Sequence, residues 1–256
     1  MTQRGAVLVV IPTYDEVHNL EPVVRGVRAA VAQAHVLVVD DASPDGTGEL
    51  ADALAARDPQ VHVLHRASKG GLGAAYRAGF RWGMVAGYEV LVEMDGDLSH
   101  QPHQLPAVLS GLDGGADLSL GSRWVPGGAV HNWPWRRRLL SRGGNAYVRL
   151  VLGLTVHDAT SGFRALRRST LEIIGIDRVQ SQGYCFQIDV VRRVQTAGLS
   201  TVEVPIVFVE RERGYSKMNV AIVGEALWRV TAWGALRLVT SSFGWVRSGR
   251  NRLRER

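Results

Sequence analysis

Asp95-Gly96-Asp97 stands directly after the apolar run Val90 to Met94, so two carboxylates leave the end of a buried strand with a glycine between them. Glycine carries no Cβ and lets the backbone come close to a ligand there. Carboxylate oxygens are the donors that hard divalent cations take, and magnesium is commonly held by one or two of them together with substrate phosphates. A second pair, Asp40-Asp41, ends the valine-rich run Val36 to Val39 and leads into Ala42-Ser43-Pro44-Asp45-Gly46-Thr47. In that turn Asp45 or Thr47 is expected to cap the following helix, while Asp41 is placed to meet a ribose hydroxyl or a base edge. The run Val7 to Ile11 ends likewise in Pro12-Thr13-Tyr14-Asp15-Glu16.

The cations are spread: Arg123 in Gly121-Ser122-Arg123, Arg136 to Arg138, Arg164 in Thr160-Ser161-Gly162-Phe163-Arg164, then Arg211, Arg213 and Lys217. Singly, each reads as a solvated or salt-bridged residue, but their recurrence after strands and in glycine loops points to phosphate contacts for some. His100 and His103 lack a flanking ligand set and read as ordinary polar loop residues. The stretch Gly70 to Tyr76 fails the dinucleotide fingerprint, because Tyr76 stands where the third glycine belongs, and no Gly-Lys-Ser/Thr phosphate loop exists.

The elements that must position these groups alternate. Apolar runs at Val7 to Ile11, Val36 to Val39, Val61 to Leu64 and Val90 to Met94 are separated by helical patterns over Leu20 to Gln33, Gly48 to Arg57 and Ala74 to Met84. Such alternation implies an α/β fold with a mostly parallel sheet flanked by helices. Ligands of these sheets bind beyond the carboxyl ends of the strands, so the three acidic clusters converge on one edge. The second half is less regular: a Gly/Pro/Trp loop from Trp124 to Trp135, a helix starting at Arg136 to Arg138, and a strand from Thr201 to Val209.

Hydrophobic residues make up 46% of the 256, enough for a packed core, and one cysteine, Cys185, excludes an internal disulfide and a thiolate metal cluster. The net charge of +6 calls for an acidic partner. Lys69 and Lys217 are the only lysines, an arginine bias that a GC-rich genome explains as well as phosphate chemistry does. The run before Pro12 is too short for a signal peptide. Val220 to Val246 is apolar and aromatic but broken by Glu225, Arg229 and Arg237, and five further arginines follow it. That pattern fits no transmembrane helix; it fits an interfacial amphipathic helix with a basic tail, an ordinary core helix being the alternative. Five of the seven tryptophans, Trp133, Trp135, Trp228, Trp233 and Trp245, fall in the two stretches expected at a membrane surface. The organisation expected is a catalytic domain over 1–219 and a membrane-interfacial appendage over 220–256.

Taken together, Ile11 to Glu16, Val38 to Thr47, Asp95 to His100, Gly121 to Arg123, Arg137 to Asn145, Asp158 to Arg164 and Ser216 to Met218 resemble the dolichol-phosphate (polyprenol-monophosphate) mannose synthases, family 2 glycosyltransferases of GT-A fold, collinearly from about Val7 to Asn219. The resemblance implies that Pro12, Tyr14, Glu16, Val39 and Asp41 hold the guanosine of GDP-mannose. It gives Asp95, Gly96 and Asp97 the ribose, the diphosphate and a metal, Mg²⁺ or Mn²⁺, with Asp95 and Asp97 as metal ligands. Arg123, Arg211 and Lys217 would meet phosphates, and Arg137 and Ser141 the phosphate of a polyprenyl phosphate acceptor. It further implies a peripheral protein on the cytoplasmic face of the membrane, with room for a membrane-anchoring partner protein.

The reaction implied is inverting transfer of mannose, with Asp97, Arg123, Arg137 and Ser141 at the reacting groups. A phosphate monoester has a second pKa of about 6 and is already an anionic nucleophile at neutral pH, so no strong general base is required. One rival is a polyprenyl-phosphate glucose synthase using UDP-glucose. Another is a nucleic-acid-binding module; three acidic clusters on the ligand edge would repel its phosphates, and no nucleic acid partner is expected.

Overall fold

The computed structural model describes residues 5–210, Gly224 and residues 226–236. Strands β1 (Val7–Thr13), β2 (His35–Asp40), β3 (Val61–His65) and β4 (Val90–Glu93) alternate with helices α1 (Leu20–Ala30), α2 (Thr47–Arg57) and α3 (Leu72–Val85). The second half adds α4 (Leu105–Ser110), β5 (Leu118–Ser122), β6 (Ala129–His131), α5 (Trp135–Leu152), β7 (Arg164–Arg167), α6 (Arg168–Ile174), α7 (Gly183–Thr196), β8 (Thr201–Pro205) and β9 (Val207–Val209). The main sheet runs β3-β2-β1-β4-β7-β5-β8, and β7 lies antiparallel to both of its neighbours. The mostly parallel α/β expectation therefore holds, with one reversed strand.

Pleating sorts the strand residues onto two cores. Leu8 and Val10 of β1, with Leu37 and Val39 of β2, face Tyr76 and Phe80 of α3 and Phe186 of α7. Val9, Ile11, Val36 and Val38 face α1, α2 and α4. Helix α1 buries Leu20, Val23, Val24 and Val27, one turn apart along a single stripe. Helix α3 reaches the sheet closely because Gly83 has no side chain: a Cβ there would stand 2.7 Å from both Leu8 and Leu91.

Thr201 to Val209 is two strands rather than one. Pro205 has no N–H to continue a ladder, and at Ile206 the chain crosses over: its N–H donates to the Ser122 carbonyl at 3.0 Å and its carbonyl accepts from Ala129 N–H at 3.0 Å. Strand β9 then pairs parallel with β6, inside the stretch expected as a loop. This two-stranded unit carries a small third core of Val130, Trp133 and Phe208, with Trp124 against it. Among the described residues no helix is long and apolar enough to cross a membrane. Residues 226–236 are helical; Val230 is buried against the first core, and Tyr147 of α5 hydrogen-bonds Thr231 at 2.7 Å.

Candidate active site

Strand order changes direction at β1, which has β2 on one side and β4 on the other, and a crevice opens at such a switch point. The loops leaving β1, β2 and β4 each contain a non-glycine residue at positive φ: Asp15 at 57°, Ala42 at 57° and Leu98 at 61°. Backbone held in that region costs free energy, and it gathers where function demands it.

The β2 loop organises the β1 loop. Ser43 Oγ, Thr47 Oγ1 and Asp45 Oδ2 accept the N–H groups of Asp15, Glu16 and Val17 at 3.2, 3.0 and 3.1 Å. Asp45 and Thr47 thus bind the neighbouring loop, and Asp45 Oδ1 also accepts the N–H of Thr47, the first residue of α2, at 3.1 Å, the capping contact expected of it, across Gly46 at φ 90°. Asp40 turns inward to Thr13 and Ser43. Asp41 accepts the N–H groups of Gly70 and Gly71 at 2.9 and 3.2 Å and pairs with Arg66. Lys69 lies 3.6 Å over the Tyr14 ring, so Tyr14 and Asp41 share one wall. Pro12 is in register with Val39, which is buried in β2, and the Glu16 carboxylate accepts from Asn19 Nδ2 at 2.8 Å.

Asp95 and Asp97 follow β4. Asp97 is buried at 8% exposure and accepts Ser99 N–H at 3.0 Å; Asp95 accepts from the Tyr76 hydroxyl at 3.3 Å. At Gly96 an added Cβ would stand 3.3 Å from Ile11 and 3.4 Å from the Pro12 carbonyl, which ties this loop to the end of β1. Two adjacent carboxylates, backed by a buried tyrosine, are a hard oxygen donor set suited to Mg²⁺ or Mn²⁺ with phosphates completing the shell. Among the described residues no third His, Cys, Asp or Glu joins them.

His100 is no ordinary loop residue. It is 2% exposed, its Nδ1 accepts Asp95 N–H at 3.3 Å, and its ring packs on Phe163 and Phe208 at 5.2 and 5.4 Å. Burial lowers its pKa against the opposing pull of Asp95 and Asp97, so the imidazole stays neutral and able to accept. Beneath the carboxylates Glu93 and Arg164 are both fully buried, with Arg164 Nε 3.6 Å from Glu93. Burial pushes the Glu93 carboxyl up to about 7 despite that arginine. Arg164 therefore contributes no phosphate contact; its Nε donates to the Ser161 carbonyl at 3.1 Å and its Nη1 to the Gln187 carbonyl at 3.0 Å.

Arg123, at the end of β5, is 6% exposed and forked onto Asp158. Helix α5 sets Arg137, Ser141 and Asn145 one turn apart on one face. Asn145 Nδ2 reaches Asp158 at 3.4 Å and Thr160 at 3.1 Å, which docks that face beside Arg123. Arg137 pairs with Glu210 and stacks on Trp133 at 4.1 Å. The structure thus places Pro12, Tyr14, Glu16 and Asp41 at the ends of β1 and β2, with Val39 turned into the first core and not lining the wall, Asp95 to Asp97 at the switch point, and Arg123, Arg137 and Ser141 as a third group. Arg211, Arg213 and Lys217 lie outside the described residues, as do Val220 to Val223 and everything after Leu236. Of the tryptophans expected at a membrane, Trp133 is buried at 7%, whereas Trp135 and Trp228 are exposed.

The sequence profile of glycosyl transferase family 2 matches residues 8–175, from β1 through α6. The chain belongs to that family. It is 56% identical over 247 residues to a polyprenol monophosphomannose synthase of Mycolicibacterium smegmatis, covering 96% of this chain and 92% of that protein. It is also 56% identical over 228 residues to an undecaprenyl-phosphate mannosyltransferase of Micrococcus luteus, covering 89% and 93%. The fold is that of solved GT-A glycosyltransferases. One is the glucosyl-3-phosphoglycerate synthase of Mycobacterium tuberculosis with Mn²⁺, UDP and glucosyl-3-phosphoglycerate, at TM-score 0.64 and 20% identity, covering 90% of this chain and 78% of that one. Another is a Pyrobaculum calidifontis mannosyltransferase with GDP-Man and Mn²⁺, at TM-score 0.56 and 18% identity, covering 98% and 81%.

Proposed function

We propose that this glycosyltransferase moves mannose from GDP-mannose to a polyprenyl phosphate, with inversion, giving GDP and a polyprenyl-phosphate β-mannose. The observation that carries this reading is the pair of relatives at 56% identity, both named for mannose and a polyprenyl phosphate and both matched over nearly their whole length. The archaeal structure with GDP-Man and Mn²⁺ supports the donor and the metal.

Tyr14, Glu16 and Asp41 bind the guanosine, with Pro12 beneath it and Val39, whose side chain is in the first core, offering backbone at the end of β2. Asp95 and Asp97 hold Mg²⁺ or Mn²⁺, which when bound neutralises charge growing on the departing diphosphate. Gly96 lets the backbone approach the ribose, and Arg211 and Lys217 add positive charge to the diphosphate. The acceptor phosphate brings its own negative charge, so the chain supplies position rather than a base. Arg137 and Ser141 hold that phosphate facing C1, and Arg123, fixed by Asp158, contributes its field from below. An acceptor oxygen bonds to C1 from the face opposite the diphosphate as the bond from C1 to the diphosphate oxygen breaks.

The lipid tail brings the protein to the cytoplasmic membrane face as a peripheral enzyme. Exposed Trp135, Leu139 and Leu140 on α5 and Leu227, Trp228 and Leu236 on the helical residues 226–236 supply apolar contact, among Arg136, Arg138 and Arg142. The test is incubation of purified protein with labelled GDP-mannose, Mn²⁺ and a short polyprenyl phosphate. A lipid-phase label that mild acid releases is expected; a label that never leaves the aqueous phase contradicts the proposal.

A further inference from the structure

The most densely built group the mechanism leaves unused is the aromatic cluster between the two arginines. Trp133 closes the two-stranded unit of β6 and β9, and α5 begins two residues later. Its ring is fixed edge-on by Phe208 at 5.3 Å and by Trp124 at 6.4 Å. Two guanidinium carbons lie over that indole: Arg137 at 4.1 Å and Arg123 at 5.4 Å from its centroid. Both fall within the range at which an aromatic face attracts a cation, and indole is the strongest such face. The two arginines come from elements far apart in sequence, and each is paired with a different carboxylate, Arg123 with Asp158 and Arg137 with Glu210.

Two guanidinium ions converging on one place repel each other. Asp158 offsets Arg123 and is buried, so that pair is permanent, whereas Arg137 and Glu210 are each about one-fifth exposed and open to exchange with an incoming anion. When an anion replaces Glu210, Arg137 loses its tie to β9. Its stacking contact on Trp133 then remains to keep the guanidinium in register with Arg123. A buried ring, unlike a carboxylate, does not compete with the ligand for hydrogen bonds.

Resting on the functional reading above, we propose that Trp133 is a positioning residue: it is the platform that aligns Arg137 with Arg123 as a clamp for the phosphate of the prenyl acceptor. The donor half is built on β1, β2 and β4 and meets this cluster through Phe208, which packs on His100 as well as on Trp133; neither cation over the indole belongs to that half, so the loss on removing the indole falls on the acceptor. Trp133 touches neither substrate; it acts through the two arginines.

The experiment is titration calorimetry of the full chain with a short prenyl phosphate, in the presence of GDP and Mn²⁺, for wild type, Trp133→Phe, Trp133→Tyr and Trp133→Leu, with GDP affinity measured alongside. Trp133→Leu is expected to weaken prenyl phosphate binding roughly tenfold, equivalent to about 1.4 kcal/mol, and to leave GDP affinity within about twofold, the scale of a few tenths of a kcal/mol. Trp133→Phe and Trp133→Tyr are expected to recover most of the loss. In turnover the acceptor KM moves and kcat does not. Should Trp133→Leu fail to fold, the ranking Trp above Tyr above Phe carries the test, and equal affinities across the three overturn the proposal. So does loss of GDP and prenyl phosphate binding in parallel, which marks a structural role. Wild type that binds prenyl phosphate but transfers no mannose contradicts the functional reading and leaves the clamp standing. Wild type that binds no prenyl phosphate contradicts the clamp.

Discussion

Arg123 meets Asp158 along one edge of its guanidinium with two parallel bonds, Nε to Oδ2 at 2.7 Å and Nη2 to Oδ1 at 2.6 Å, and Asp158 also accepts the Arg123 backbone N–H at 3.0 Å. The Arg123 pKa is raised: burial alone would lower it, and the Asp158 carboxylate outweighs burial. Bidentate pairing of this kind fixes a plane as well as a charge. Asn145 and the backbone N–H of Asp158, held by Glu203 at 3.1 Å, complete the seat.

Replacing Asp158 by Asn removes the charge and leaves a buried arginine unpaired. Breaking a buried pair in this way costs about 3–5 kcal/mol. Urea unfolding of Asp158→Asn against wild type should show a loss on that scale, and a loss below about 1 kcal/mol would assign Arg123 an alternative partner.

Glu93 gives the protein a pH signature. Its carboxyl is raised from 4.5 to about 7 by burial, so below pH 4.5 it is protonated in both the folded and the unfolded chain and its contribution to stability is complete. As pH rises through about 7 that contribution is lost, because the unfolded chain ionises freely and the folded chain cannot. The stability of wild type relative to Glu93→Gln should therefore fall from pH 4.5 to 7 and level off above. Denaturant melts at several pH values read it directly, and a flat difference contradicts the burial argument.

Asp97→Ala should abolish metal-dependent turnover, since that carboxylate orients the cation, and should lower stability in a thermal melt by about 1–3 kcal/mol, the scale of a buried N–H left without its acceptor, because Ser99 N–H donates to it. His100→Leu removes the acceptor for Asp95 N–H and should raise the Mn²⁺ concentration for half-activation several-fold; His100→Asn, which restores an acceptor, should recover much of it.

What the sequence displayed was local. Apolar runs ending in acidic clusters located β1, β2 and β4 and the edge where Asp41, Asp95 and Asp97 sit, because strand pleat and strand ends leave their mark within a few residues. What it hid was long-range. Glu93 and Arg164 meet across an antiparallel β4–β7 pair whose strands are far apart in the chain, and no spacing rule joins them. His100 looked polar because its burial depends on Phe163 and Phe208, which arrive from later elements. Trp133 read as interfacial by composition, yet β9 covers it; the pairing of β9 with β6 depends on the crossing at Ile206 just after Pro205, and the strand-like residues on both sides of that proline give no sign of the change of partner.

The Arg137–Glu210 pair makes Glu210 a competitor for any phosphate that Arg137 takes. Glu210→Gln should tighten binding of a short prenyl phosphate roughly tenfold, about 1.4 kcal/mol for removing a charged rival. Calorimetry in the presence of GDP measures it, and weaker binding would mean that Glu210 supports the acceptor site.

The central claim is that this chain joins mannose from a guanosine donor to a prenyl phosphate. It is tested most directly by offering GDP-mannose and UDP-glucose with different isotopic labels to the purified protein together, in Mn²⁺, with a short polyprenyl phosphate and the corresponding polyprenol. Label from mannose alone, recovered only on the phosphate acceptor, is the predicted result. Glucose label in the lipid, or mannose label on the alcohol, would contradict the account.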